Sequence, residues 1–100
     1  MQFHLKWTPR ARQEYQALQN DPSKAEKNKK VQRALGYLQT NVRHPSLNAH
    51  EFKSWPHPWD PSQKVFEAYV ENITPGAYRI FWCYGPGRGQ ATILAVIPHP

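Results

Sequence analysis

The chain has one cysteine, Cys83, so no intramolecular disulfide can staple it. Cys83 stands mid-strand between Trp82 and Tyr84, the place of a small packed thiol rather than a nucleophile. No segment is apolar for the length of a membrane span. Met1-Gln2-Phe3-His4-Leu5-Lys6 lacks the apolar run of a signal peptide, which predicts a cytoplasmic protein. There is no internal repeat and no low-complexity tail. Gly85-Pro86-Gly87-Arg88-Gly89 lacks the Gly-Lys-Ser/Thr ending and the following helix of a P-loop. It reads as a hairpin turn from which Arg88 can touch a backbone phosphate. The five histidines form no zinc pattern, since His44, His50 and His57 share one loop with no cysteine pair. Acidic residues are outnumbered, 7 against 13 Lys and Arg, for a net charge of +6. That balance favours an anionic partner: nucleic acid first, an acidic protein second, a membrane surface third.

One hundred residues predict a single domain over 1–100 with a modest core. Phe3, Leu5 and Trp7 alternate with His4 and Lys6 as a short strand, expected to pair at a sheet edge. Thr8-Pro9 reads as an N-cap and first-turn proline, followed by a helix to about Gln19. Ser23-Lys24-Ala25-Glu26 fits a capping box that opens a longer helix to about Thr40. Its apolar stripe is Val31, Ala34, Leu35 and Leu38, and lysines and Arg33 occupy the rest. Residues 41–64 are irregular and rich in His, Pro and Trp, too long for an idle connection.

Three strand-like runs follow, 65–70, 78–84 and 91–97, separated by turn residues in the manner of an antiparallel meander. The order is β-α-α-β-β-β. The predicted class is α+β: an antiparallel sheet of three or four strands with an N-terminal helical hairpin packed on one face.

Period-2 alternation sorts the candidate site residues. Tyr78, Ile80, Trp82 and Tyr84 share the face expected to meet the helices. Arg79 then projects from an open opposite face, with Phe81 and Cys83. Its fork of donors suits a phosphate or a carboxylate, and Glu67 is a ready ion-pair partner across the strands. Glu67 and Tyr69 fall on the Arg79 side, where Glu67 can act as a general base or hold Arg79. His99 is usable as acid or base near neutrality, or is simply a chain end. Trp55 and Trp59 can stack on bases or pack under the proline-rich loop.

Taken together, these elements resemble the RelE/ParE superfamily of bacterial type II toxins. The resemblance is carried by the element order, Lys64-Val65-Phe66-Glu67, Tyr78-Arg79-Ile80-Phe81-Trp82 and Ile97-Pro98-His99-Pro100. It implies a toxin with a cognate antitoxin, which would present an acidic or hydrophobic segment. Members of the RelE-like class cut mRNA on the ribosome, and ParE-like members act on DNA gyrase. In the first class Arg79 matches the arginine on the scissile phosphate, and His99 matches a C-terminal acid/base position. Glu51 and Lys53 resemble a Glu and a Lys that precede the sheet, and Tyr69 replaces a residue that is often basic.

The expected reaction is attack of a ribose 2′-hydroxyl on the adjacent phosphate, with no metal or organic cofactor required. Arg79 would stabilise charge, His99 would be the acid, and Glu67 or Glu51 the base. Lys53, Arg88, Tyr69 and Trp55 would contact RNA. The alternative is a non-catalytic protein, either a gyrase poison or a relative that only binds its antitoxin.

Overall fold

Thr8 starts the first helix as its residue type predicts: its hydroxyl accepts from the Ala11 amide at 3.1 Å, with Pro9 in the first turn. The computed structural model describes residues 2–71 and 75–98. Strand β1 (His4–Trp7) leads into helix α1 (Pro9–Gln19) and, after a single 3-10 turn at Pro22–Lys24, helix α2 (Ala25–Thr40). A second 3-10 turn, Pro45–Leu47, precedes the two-residue strand β2 (His50–Glu51). Strands β3 (Phe66–Tyr69), β4 (Tyr78–Tyr84) and β5 (Gln90–Pro98) complete the chain.

The predicted capping box does not form. Asp21 accepts both the Ser23 amide and the Ser23 hydroxyl, which draws Ser23 into the 3-10 turn. Helix α2 therefore starts at Ala25 without a side-chain cap, and Glu26 instead lies 3.6 Å from Lys29.

The sheet has five strands in the order β1-β5-β4-β3-β2. The meander β3-β4-β5 is antiparallel, as the turns predict. The expectation of three or four antiparallel strands needs two corrections. Strand β1 pairs parallel to β5 at one edge, because α1 carries the chain back over the sheet before it can turn. The loop contributes β2, antiparallel to β3, at the other edge.

Both helices cover the face that carries Ala68, Tyr78, Ile80, Trp82, Ile93 and Val96. The opposite face carries a smaller cluster of Val65, Phe81, Cys83, Leu94 and Ala95, roofed by Phe52 and Trp55 from the loop. A register shift between Phe81 and Trp82 pairs them with Ala95 and Ile93, leaving Leu94 as an extra residue on β5. That bulge lets Leu94 and Ala95 both join the second cluster. At the hairpin turn, Gly85 and Gly89 have φ of 94° and 72°, and a Cβ on Gly85 would meet the Trp59 ring at 3.2 Å. No helix among the described residues is long and apolar enough to cross a membrane.

Candidate functional site

On the helix-free face, the β3–β4 register sets Tyr69 opposite Arg79 and Glu67 opposite Phe81. Glu67 and Tyr69 thus share the Arg79 face, as alternation predicts. The β2–β3 register sets His50 opposite Glu67. Four polar side chains therefore meet at one end of this face: His50, Glu67, Tyr69 and Arg79.

Arg79 is not on an open surface, contrary to the sequence-based expectation; it is 1% exposed. Its guanidinium lies over the Tyr69 ring, 4.0 Å from the centroid. One terminal nitrogen donates to the Tyr78 carbonyl at 3.1 Å. Nε is 3.9 Å from Glu67 Oε2, an ion pair too long to be a hydrogen bond, and this buried N–H has no hydrogen-bond partner among the described residues. Burial of a guanidinium is costly unless it is neutralised, and Glu67, itself 6% exposed, supplies that charge.

The second oxygen of Glu67 meets His50 Nε2 at 2.8 Å. His50 Nδ1 lies 2.8 Å from the Asn48 carbonyl, so the ring is held from both of its nitrogens. Its ring edge also meets Tyr69 at 5.5 Å. The His50 side chain is 43% exposed, which makes it the solvent-facing end of the chain His50–Glu67–Arg79. Chemically, this end holds a buried cation with one unsatisfied donor, a carboxylate with one oxygen outside hydrogen-bond distance of that donor, and an exposed imidazole. Sequence reasoning weighed His50 only as a zinc ligand. Only the register of β2, 17 residues from Glu67, reveals the pairing.

The other candidates lie elsewhere or are otherwise engaged. Glu51 pairs in register with Phe66, off the Arg79 face, and sits 4.0 Å from Lys64. Lys53 is exposed beyond β2, at the end of β3 away from Tyr69. Arg88 sits in the hairpin turn past Tyr84, about 17 Å along β4 from Arg79 by strand rise. Trp55 stacks on Phe81 at 5.0 Å and carries the Arg10 guanidinium 5.1 Å from its ring, so it packs the loop. Burial pushes the Cys83 thiol up to about 11, which suits a packed group. His99 lies outside the described residues. Among the described residues, no three His, Cys, Asp or Glu side chains gather as a metal-ligand set.

Solved structures of similar shape identify the architecture. A chain of the archaeal RelE–RelB complex from Pyrococcus horikoshii superposes with a TM-score of 0.64 at 16% identity, covering 98% of this chain and 96% of that one. The YoeB/ParE toxin from Agrobacterium tumefaciens gives 0.68 at 11% identity, over 98% and 100% of the two chains. A YoeB from Staphylococcus aureus, solved as a dimer, gives 0.63 at 12% identity over the full length of both. The chain has the fold of the RelE/YoeB/ParE toxins. The α+β class read from the sequence, and the fold that the resemblance implies, are thereby met. No protein-family model and no curated protein matches the sequence.

Proposed function

We propose that this protein is a RelE-like toxin that cleaves mRNA on the ribosome at the end of the sheet marked by Arg79. The observation that carries this reading is the Arg79 Nε, without a hydrogen-bond partner among the described residues and 3.9 Å from Glu67, beside an exposed His50. The site opens for substrate by displacement of Tyr69 from the guanidinium. A phosphate oxygen then takes up the Arg79 N–H, and Glu67, steadied by His50, accepts the proton of the ribose 2′-hydroxyl. The 2′-oxygen–phosphorus bond forms, and the bond from phosphorus to the 5′-oxygen breaks. His99 returns a proton to that oxygen. No metal or organic cofactor takes part in this scheme. Glu51, remote from Arg79, has no role in it, and Lys53 and Arg88 serve at most as peripheral phosphate contacts. The partners are the ribosome with its mRNA and a cognate antitoxin. The fold shared with a chain solved in a RelE–RelB complex supports the latter.

The test is single-turnover mRNA cleavage on programmed ribosomes. Wild type should cut, and His99→Ala should cut roughly 10²–10⁴-fold more slowly with ribosome binding retained. A second reading, a protein that binds gyrase or an antitoxin without cutting RNA, is favoured by the 1% exposure of Arg79. Absence of cleavage by wild type, with gyrase-dependent DNA damage or antitoxin binding intact, decides for that reading.

A further inference from the structure

Two cavities of about 540 and 520 Å³ flank the edge of the sheet formed by β2, each within the size range of small-ligand sites. The first lies among Arg43, His44, Asn48, Phe66, Trp82 and Tyr84. The second lies among Lys30, Arg33, Asn48, Tyr69 and Glu71. They share Pro45 and Asn48, and the second is lined in part by Tyr69, the residue whose ring lies under Arg79. The two cavities adjoin at the 3-10 turn, and taken as one groove they span from the Phe66–Trp82–Tyr84 side of the sheet to Tyr69.

Its chemistry changes along its length. At the far end, Tyr84 is 40% exposed, with its ring fixed by edge contacts to Phe66 and Trp82 at 5.7 and 4.9 Å. His44 is held flat against Tyr37 at 3.7 Å. These are planar groups already fixed in place, so a stacking partner meets little ordering cost. Arg43 lines the first cavity and Arg33 the second, neither with an acidic partner among the described residues. The acidic side chain in the lining, Glu71, is neutralised by Lys27 and Lys30. Aromatic faces beside cations that lack an acidic partner among the described residues match a strand of stacked bases on a phosphate backbone.

We infer that this groove is a binding track for single-stranded RNA, with a base-stacking subsite at Tyr84 and His44 and backbone contacts at Arg43 and Arg33. The inference rests on the RNA reading above and adds to it where the flanking nucleotides lie. It also places their recognition on the opposite side of the sheet from the chemistry.

The experiment is fluorescence anisotropy with a labelled single-stranded octanucleotide, fully 2′-O-methylated so that it cannot be cut by 2′-hydroxyl attack. The full chain is compared with Arg43→Ala, an exposed position that leaves the fold untouched, and with Tyr84→Leu, which keeps apolar packing but removes the stacking ring. Each variant should bind roughly fivefold or more weakly. Arg43→Ala should also reduce the salt slope by about 0.7. Unchanged affinity in both variants overturns the track. So does displacement of the RNA by an acidic peptide of equal charge as effectively as by unlabelled RNA. Binding through Arg43 and Tyr84 by a wild type that cuts no mRNA keeps the track and removes the nuclease. A wild type that cuts mRNA while both variants bind RNA as it does keeps the nuclease and removes the track.

Discussion

At one end of the helix-free sheet face, Phe52 and Trp55 pack on Phe81 with ring centroids 4.9 and 5.0 Å apart. At the other, Tyr69 lies under Arg79 at 4.0 Å, and Glu67 bridges to His50. Both ends use the same strands and the same alternation. What separates them is the cover: Phe52 and Trp55 of the loop pack on the Phe81 cluster, whereas Arg79 is covered by the Tyr69 ring. One end is closed by apolar burial, which stabilises in proportion to area. The other is closed by charges that satisfy one another incompletely, since the Nε of Arg79 has no partner among the described residues. Packing fixes the first end. The second keeps unused hydrogen-bonding capacity, and that capacity is what a substrate can engage.

The comparison is broken most severely by Phe81→Ala. Phe81 is 5% exposed and touches two loop aromatics, so truncation should cost about 3–4 kcal/mol, with both the transfer loss and the cavity contributing. Urea unfolding measures it. Phe81 faces Glu67 across β3 and β4 but supplies no polar group to the charged end, so the fraction that remains folded should cleave mRNA at the wild-type rate. A cleavage defect larger than the loss of folded protein would show that the two ends are not separable.

Arg79→Ala should follow at about 3 kcal/mol, since it strands Glu67 in a buried site without its cation. Arg79→Met separates stability from chemistry. Its apolar stem restores packing on Tyr69 and should recover part of the lost stability, yet cleavage should stay at background, because no cation remains for the phosphate. Cleavage by the Met variant would dismiss charge stabilisation by Arg79.

His50→Ala removes the exposed end of the network. Stability should fall by about 1 kcal/mol, the worth of one hydrogen bond to a carboxylate that keeps its Arg79 partner. Cleavage should fall further than stability does, by roughly tenfold or more, as Glu67 loses the group that orients it. Thermal unfolding and single-turnover cleavage on the same preparation check both. Equal losses in the two would leave His50 a structural residue only.

The contrast between the two ends was partly legible in the sequence. Alternation alone put Glu67, Tyr69 and Arg79 on one face, because side chains in a strand alternate without exception until a bulge intervenes. It also set Phe81 and Cys83 beside them. It could not show that the Tyr69 ring lies across the guanidinium, since a residue's face says nothing of where its long side chain comes to rest. So an arginine expected in the open is buried. His50 was hidden for another reason: β2 is two residues long, and its register is set by partners across the sheet rather than by its own pattern. The parallel pairing of β1 and the bulge at Leu94 are likewise products of tertiary contact. Ser23 misled because Asp21, two residues earlier, competes for the same amide.

The smallest effect concerns the boundary of the charged end, where β3 runs into Glu71. This carboxylate is 11% exposed and is clasped by Lys27 and Lys30 of α2, which ties the helix to the sheet. Burial alone would raise its pKa, but hydrogen bonds and charge from the two lysines outweigh that and hold it below the usual value. A folded pKa below the unfolded one means that the unfolded chain binds the proton more readily. The stabilisation is therefore complete above the unfolded pKa of about 4.3 and is lost as pH falls through the folded value. Glu71→Gln should cost about 1 kcal/mol at pH 7, since both lysines are partly solvated. The gap between wild type and variant should shrink as pH drops below about 4. Comparing the two proteins, rather than following wild type alone, cancels the titration of every other carboxylate. Urea midpoints at pH 7 and pH 3 measure the gap, and a gap of equal size at both would mean that Glu71 acts through packing and not through its charge.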